Sequence, residues 1–402
     1  MSTPLITRVV LRNYRSIGYC DVALGSLTYL VGPNGSGKSN FLDALHFLAD
    51  ALRDSLGGAI SRRGGIREVR RRTSGGGLKN IGIHIEFTID GKIGKYTFVI
   101  ASSDDLDYQV VREECQFDGA SFSAALGELS KGRFIVSDVE INGPALVADR
   151  LALVAFSGQP AFRPVFDALS KMRFYNFSPE WMRELQPGQD GRLLDSRGEN
   201  LANVIGYLER TNPAILRTIT EYLHAVVPDV QEIRSLHYGP METVSFRQEW
   251  EPAEPPWLFT AQNMSDGTLR GLAVLVALFQ GSGESGPGLI GIEEPETSLH
   301  PAASAALREA LVLAARGTQV LVTSHSPELL DDPSIAESSI RAVDMQAGQT
   351  RIATIDAASR AAMGQKLFSA GELLKLGQLN LDPHNLQEQH TDTFDPFEES
   401  LG

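Results

Sequence analysis

Cysteine is almost absent from this 402-residue chain, which holds only Cys20 and Cys115. The two lie far apart and outside any CxxC spacing. That argues against a disulfide framework or a cysteine zinc site and fits a reducing compartment. Long apolar runs are also missing. The most apolar stretch, Leu272 to Phe279, is far too short to cross a bilayer. The opening MSTPLITRVVLRNYRSI lacks the continuous apolar core of a signal peptide. A cytoplasmic protein without a membrane segment is expected. Positive charge is in short supply, with 36 Lys and Arg against 50 Asp and Glu and a net charge of −14. The chain as a whole repels nucleic acid and acidic membranes, so contact with either requires a local basic patch. What is plentiful is apolar material. At 42% hydrophobic and 21% charged, the chain can bury a sizeable core in two or three lobes.

Residues 5–31 read as two strands around a turn at Gly25-Ser26, and the second, Leu27 to Val31, runs into a glycine loop. An apolar-periodic helix follows, from Asn40 to Leu52, and then a glycine- and arginine-rich stretch, 57–79, read as an exposed loop or short helix. Ile81, Ile83, Ile85, Phe87 and Ile89 alternate with other residues, Asp90-Gly91 turns the chain, and Tyr96, Phe98 and Ile100 continue the pattern. With Tyr108, Val110, Cys115 and Phe117 this predicts an antiparallel meander with one wet face. Residues 160–235 read as mainly helical, and 251–256 is a proline-rich break. Buried strands are expected at Gly288–Ile292 and Gln319–Thr323, and an acidic, polar, flexible tail from about 383. No internal repeat is present.

Gly32-Pro33-Asn34-Gly35-Ser36-Gly37-Lys38-Ser39 matches GxxxxGK[ST] between a predicted strand and a predicted helix, the setting that motif requires. Glycines let successive N–H groups and the helix N-terminus converge on phosphates. Lys38 would neutralise the β/γ oxygens and Ser39 would ligate Mg²⁺. The motif alone leaves kinases, GTPases, helicases and transporters open. Leu289-Ile290-Gly291-Ile292-Glu293-Glu294 is an apolar strand ending in two acids. Glu293 would hold Mg²⁺ and Glu294 would polarise the attacking water, although the division depends on where the strand ends. Standing alone, such a pair also serves as an ordinary strand cap. Met264-Ser265-Asp266-Gly267-Thr268 opens an apolar helix and is either a plain N-cap or an anion site. Thr323-Ser324-His325-Ser326-Pro327 ends a predicted parallel strand, where open α/β sheets place ligands. A core or edge histidine is the other reading of His325.

In the order GPNGSGKS, MSDGT, IEEPETSLHP, TSHSP the chain resembles the ABC ATPase head of the RecF/SMC/OLD branch. The opening Leu11-Arg12-Asn13-Tyr14-Arg15-Ser16 and the late Ala370-Gly371-Glu372-Leu373-Leu374 are also similar to segments of these proteins. The likeness covers about residues 1–90 and 257–375. It implies an α/β P-loop NTPase fold of the ABC type, with a mixed central sheet, an antiparallel meander and a helical insertion serving as lid or arm. The expected divisions are 1–90 and 257–382 for the two parts of the head, 91–256 for the meander and insertion, and 383–402 for the tail. The resemblance implies ATP and Mg²⁺ as cofactors and adds Arg12, Asn13 and Asn40 to the nucleotide contacts. It makes Ser265, Asp266 and Gly267 a signature that acts in trans, Ser298 the D-loop residue, and Lys38, Glu294 and His325 the catalytic set. A homodimer or higher homo-oligomer, ATP hydrolysis as a switch, and a separate effector protein in DNA maintenance or antiphage defence are then expected. A RecF-like DNA clamp with slow turnover is the alternative.

The chain departs from the family pattern at three points. Glu293 stands where many ABC heads have aspartate, MSDGT replaces LSGGQ and disfavours a transporter subunit, and no Q-loop glutamine can be placed. Sustained heptads are missing, so long coiled-coil arms are not expected. Against the overall charge, Arg62, Arg63, Arg67, Arg70, Arg71, Arg72 and Lys79 stand with only Glu68 as an acid within 62–79. They form either a nucleic-acid contact or a solvated basic loop that could receive the acidic tail.

Overall fold

A computed structural model describes residues 5–72, 80–102, 107–125, 133–136, 139–142, 147, 149–248, 257–281, 286–391 and 396–397. Lys79, the proline-rich break at 251–256 and most of the tail beyond 391 lie outside the described residues. One sheet runs through fourteen strands among those described. Its parallel part has the order Arg173–Tyr175, Leu289–Glu293, Gln319–Ser324, Leu27–Val31, Ile340–Gln346. Beyond it, Gln349–Ala353, Ile17–Ala23 and Ile6–Tyr14 lead into the meander that begins with Ile81–Ile89, Lys92–Ala101 and Gln109–Phe117. This is the mixed-sheet ABC-type architecture expected from the sequence.

The parallel strands are mainly apolar because both their faces are covered, with Thr28, Gln319 and Thr323 among the buried polar exceptions. Leu30, Leu289 and Leu321 enter one core with the helix Lys38–Arg53, which is rooted in Phe41, Leu45 and Leu48. Tyr29, Val31, Ile290, Ile292, Val320 and Val322 point the other way, into a core with the helix Asp266–Phe279. Gly291 is fitted to its place, since a methyl group there would lie 2.5 Å from the Phe174 ring. The insertion carries the helices Leu201–Thr211 and Pro213–Val226 against a second, antiparallel sheet built on Val230–Tyr238 and Met241–Gln248.

Four expectations need adjustment. Residues 5–31 form three strands and not two, because the chain also turns at Arg15-Ser16, between Ile6–Tyr14 and Ile17–Ala23. Residues 160–235 are not helical throughout. Arg173–Tyr175 is a parallel core strand and Val230–Tyr238 a strand of the second sheet. At three residues, the first is too short to show a period. The second face of the meander is not simply wet. His84 and Thr97 are 2% and 5% exposed on it and hydrogen-bond each other at 2.7 Å, and Phe397 packs over Gly82. The stretch from 383 also begins with structure, the helix Pro383–Thr391. Asp382 accepts from the amides of His384 and Asn385, and buried Gln389 donates to the Ile352 carbonyl and accepts from the Asp21 amide. A polar side chain here satisfies strand backbone, which reads as tail polarity in the sequence.

Glu113 interrupts the apolar face of the meander and is fully buried. It accepts from Tyr96 Oη and from the amides of Ala152 and Leu153. Burial pushes its carboxyl up to about 7, against the pull of those three donors. A carboxyl raised on folding contributes stability that is complete below its ordinary value near 4.5 and is lost as pH rises through 7. The difference in unfolding free energy between wild type and Glu113→Gln, from urea titrations at pH 4.5 and pH 8, should shift by about 3 kcal/mol. A difference that stays constant across that range would contradict this placement.

Candidate functional site

The parallel strands all end on one edge, and the sequence motifs gather there. After Val31 the chain turns through Gly32 to Gly37, and Gly35 and Gly37 take φ of 77° and 99°. A residue with a Cβ is strained in that left-handed region, and successive amides there can face an anion. Gly37 caps the helix Lys38–Arg53. Lys38 is 4% exposed, and its ammonium donates to the carbonyls of Gly32 at 2.9 Å and Pro33 at 3.0 Å. Burial draws its pKa down, while Glu294, Glu296 and Glu293 push it up.

Thr350, which no sequence motif marks, roofs this loop. Its hydroxyl donates to the Ser36 carbonyl at 2.9 Å and lies 2.7 Å from Ser16 Oγ. A methyl group on Gly37 would reach within 1.9 Å of Thr350 Oγ1. Asn40 donates to Ser16 Oγ at 2.6 Å, and Asn13 donates to the Asn80 carbonyl at 2.9 Å. Both amides were expected to contact nucleotide. In the structure they tie the N-terminal hairpin to its neighbours. Arg12 is half-buried on that hairpin, opposite Tyr19 and Gly82.

Glu293 and Glu294 separate at the end of their strand. Glu293 continues the ladder opposite Thr323 and accepts a hydrogen bond from Ser39. Glu294 bends out at φ 43°, with its amide donating to the Thr323 carbonyl at 3.0 Å. Its carboxylate lies 3.2 Å from His325 Nδ1. Burial raises the Glu293 carboxyl, and Ser39 opposes that rise. A hydroxyl beside a carboxylate is a donor set of hard oxygens, and it fits Mg²⁺. Two further residues belong to this edge. Asn176, just beyond the strand Arg173–Tyr175, places Nδ2 3.5 Å from Glu293 Oε2. Glu296 is 8% exposed, accepts from Ser324 Oγ, and keeps its other oxygen buried without a partner. A third acid in EEPE was the available signal for Glu296. Asn176 had none.

The signature lies apart from the P-loop of its own chain. Ser265 caps the helix Asp266–Phe279 and accepts from the Thr268 amide at 3.1 Å. Asp266 is held by Arg183, which also donates to the Met264 carbonyl at 2.9 Å. A methyl group on Gly267 would lie 2.3 Å from the carbonyl of Ser298, a residue at φ 67°. Signature and D-loop are therefore packed backbone to backbone. Among the described residues, no hydrogen bond or ion pair joins 264–267 to 32–39.

The basic cluster divides. Arg63, with its side chain 6% exposed, is clamped by Asp43 at 2.8 Å and Asp50 at 3.1 Å, and so is withdrawn from any polyanion. Arg62 pairs with Asp54 at 2.8 Å. Their counter-charges come from the P-loop helix and its C-cap, burying the charge of Arg63 while Arg62 stays exposed. Arg70 donates to Ser102 Oγ, Arg71 packs on Gly18, and Arg72 pairs with Glu68. Arg67 is exposed, as is Arg72. Arg62 and Arg63 line a cavity of about 440 Å³ that reaches Asn176 and Glu293. A larger groove, about 1140 Å³, lies away from this edge, between Pro213–Val226 and Val230–Tyr238.

A glycine loop on a helix N-terminus, a buried lysine, paired acids and a histidine on the carboxyl edge of a parallel sheet define a P-loop ATPase head of the ABC type, in its RecF/SMC branch. The profile of the family described as "AAA domain, putative AbiEii toxin, Type IV TA system" matches residues 27–144 and 175–331, and the chain belongs to that family. Over 60 residues it is 37% identical to the DNA replication and repair protein RecF of Aliivibrio fischeri, a match covering 14% of this chain and 17% of that protein. The curated relatives are thus matched over less than a third of their length. Two solved structures share the fold. One is an Smc head bound to the C-winged helix domain of ScpA, with a TM-score of 0.55 at 15% identity, covering 89% of this chain and 99% of that one. The other is an Smc head with an extended coiled coil bound to the C-terminal domain of ScpA, derived from Pyrococcus furiosus. Its TM-score is 0.53 at 14% identity, covering 91% and 100%. No helix among the described residues is long and apolar enough to cross a membrane.

Replacing Thr350 with valine removes the hydroxyl at nearly constant shape and leaves the Ser36 carbonyl without its donor. Thr350→Val should lower stability by about 1–3 kcal/mol in urea unfolding and weaken binding of a fluorescent ATP analogue. Unchanged values in both measurements would mean that the roof does not shape the loop.

Proposed function

We propose that the chain binds Mg-ATP between two copies of its head and hydrolyses it as a switch. The observation that carries this reading is the parting of the two acids, Glu293 toward Ser39 and Glu294 toward His325. Lys38 and the backbone amides within 34–39 hold the β- and γ-phosphates. Ser39 and Glu293 hold Mg²⁺, which when bound would neutralise charge on the phosphate oxygens. Glu294 orients a water and takes its proton as the water oxygen bonds to the γ-phosphorus and the bond to ADP breaks. His325 reads the γ-phosphate beside it, and Asn176 serves as the Q-loop residue.

Ser265 and Gly267 complete the site of the second copy, which accounts for the lack, among the described residues, of a hydrogen bond or ion pair to their own P-loop. Ser298, seated on Gly267, couples the two sites. ATP joins the heads and hydrolysis releases them. The setting is cytoplasmic, in DNA maintenance or antiphage defence, with a separate effector protein. The RecF relatives, named for DNA replication and repair, and the toxin–antitoxin description of the family support that setting. Arg62, Arg67 and Arg72 are the exposed candidates for nucleic-acid contact, and a RecF-like clamp with slow turnover is the second reading.

A composite site makes two inactive variants complementary. Lys38→Ala and Ser265→Arg should each lack turnover. An equal mixture should recover about a quarter of wild-type activity, because half the dimers formed by random pairing hold one intact site. The assay repeated with duplex DNA separates the two readings: strong stimulation favours the switch and weak stimulation the clamp. No recovery in the mixture would contradict the trans arrangement.

A further inference from the structure

The segment Ser369-Ala370-Gly371-Glu372-Leu373-Leu374 has no place in the nucleotide chemistry, yet it is fixed with unusual closeness to the histidine loop. Ser369 and Glu372 form a reciprocal capping box at the start of the helix Ala370–Lys375. The Ser369 hydroxyl also donates to Asp331 at 2.7 Å. Asp331 closes the short helix Pro327–Leu330, which begins two residues after His325. At Gly371 the two backbones touch. A methyl group there would lie 2.2 Å from the Pro327 carbonyl oxygen and 2.8 Å from the Asp331 amide nitrogen. Both are main-chain atoms, so no side chain can swing aside.

The same loop is held from its other flanks. Lys375 lies 3.6 Å from Glu328, and Glu328 accepts from Ser326 Oγ at 3.0 Å. The Ser326 amide donates to Ser324 Oγ, and Ser324 Oγ donates to Glu296. Arg308 donates to the Glu328 carbonyl at 2.9 Å. His325 sits in the middle of this frame, 39% exposed, with Glu294 beside it.

We propose that Gly371 and Ser369 are positioning residues for His325: the helix they begin presses on Pro327 and Asp331 and so sets how far the histidine reaches toward Glu294. The inference rests on the ATPase reading above and extends it to a part of the chain that touches no nucleotide. A misplacement of about an ångström at a reacting group costs on the order of 100-fold in rate. Glycine is required here because a Cβ would drive the Pro327 helix, and the loop before it, away.

The test is a double-mutant cycle on turnover and nucleotide affinity. Gly371→Ala should lower kcat on the order of 100-fold and leave the affinity for a fluorescent ATP analogue within about twofold. In the His325→Ala background the same change should cost nothing further, because its effect passes through the histidine. A purely structural role would give additive losses and would overturn the proposal, as would wild-type turnover in Gly371→Ala. Leu367→Ser, on the exposed side of the same segment, should leave turnover unchanged, and an equal loss there would also overturn it. If Gly371→Ala does not fold, Asp331→Asn, which weakens only the bond from Ser369, goes through the same cycle with an expected loss of about fivefold. Glu294→Gln separates the two levels. Normal turnover in that variant sinks the ATPase reading itself. Abolished turnover there, with normal turnover in Gly371→Ala, sinks only the positioning role.

Discussion

Five neighbouring strands are buried on both faces, and that constraint arranges the rest of the molecule. Leu30, Leu289 and Leu321 fill one core while Val31, Ile292 and Val322 fill the other, so a polar side chain within these strands must find its partner inside, as Gln319 does on the backbone of Ile6 and Gly25. Solvent-facing polar chemistry collects where the strands stop. Because the strands are parallel, their carboxyl ends lie together, and Gly32, Asn176, Glu294 and His325 reach one edge from four separate parts of the chain. The two cores also tie that edge to two different bodies. One holds the P-loop helix and the meander, and the other holds the signature helix and the insertion.

Electrostatics at the edge is a balance between burial and proximity. Three glutamates lie close enough to Lys38 to raise its pKa, while burial lowers it. Burial likewise raises Glu293 and Glu296. Crowded carboxylates with one ammonium among them carry surplus negative charge, which a divalent cation would offset. The bent backbone at Glu294 and the left-handed Ser298 lie in the same loops. Strain of that kind persists where the surroundings dictate it.

What could be read from the sequence was what is local. GPNGSGKS needs only a strand before it and a helix after it, and the apolar run ending in Glu293-Glu294 announces a buried strand. Long-range partnerships left no local trace. Thr350 reaches Ser36 across more than three hundred residues, and Arg183 reaches Asp266 across more than eighty. Asn176 follows a strand of three residues, too short for any period. Counting charge along the chain cannot see that Asp43 and Asp50 of a neighbouring helix enclose Arg63. Glu113 broke the alternation of the meander, where sequence offered no hint that the amides of Ala152 and Leu153 would meet it.

Gly267 packs on Ser298 and Gly371 on Pro327, two backbone-to-backbone contacts beside the carboxyl edge of the sheet. The central claim is that this edge is half of a site that a second copy completes. Measuring the solution mass of the Glu294→Gln variant with and without Mg-ATP tests it most directly, because the amide keeps the shape of the carboxylate and should trap bound nucleotide. The account predicts a mass that doubles only when Mg-ATP is present. A variant whose mass does not respond to Mg-ATP and which hydrolyses at the wild-type rate would contradict it.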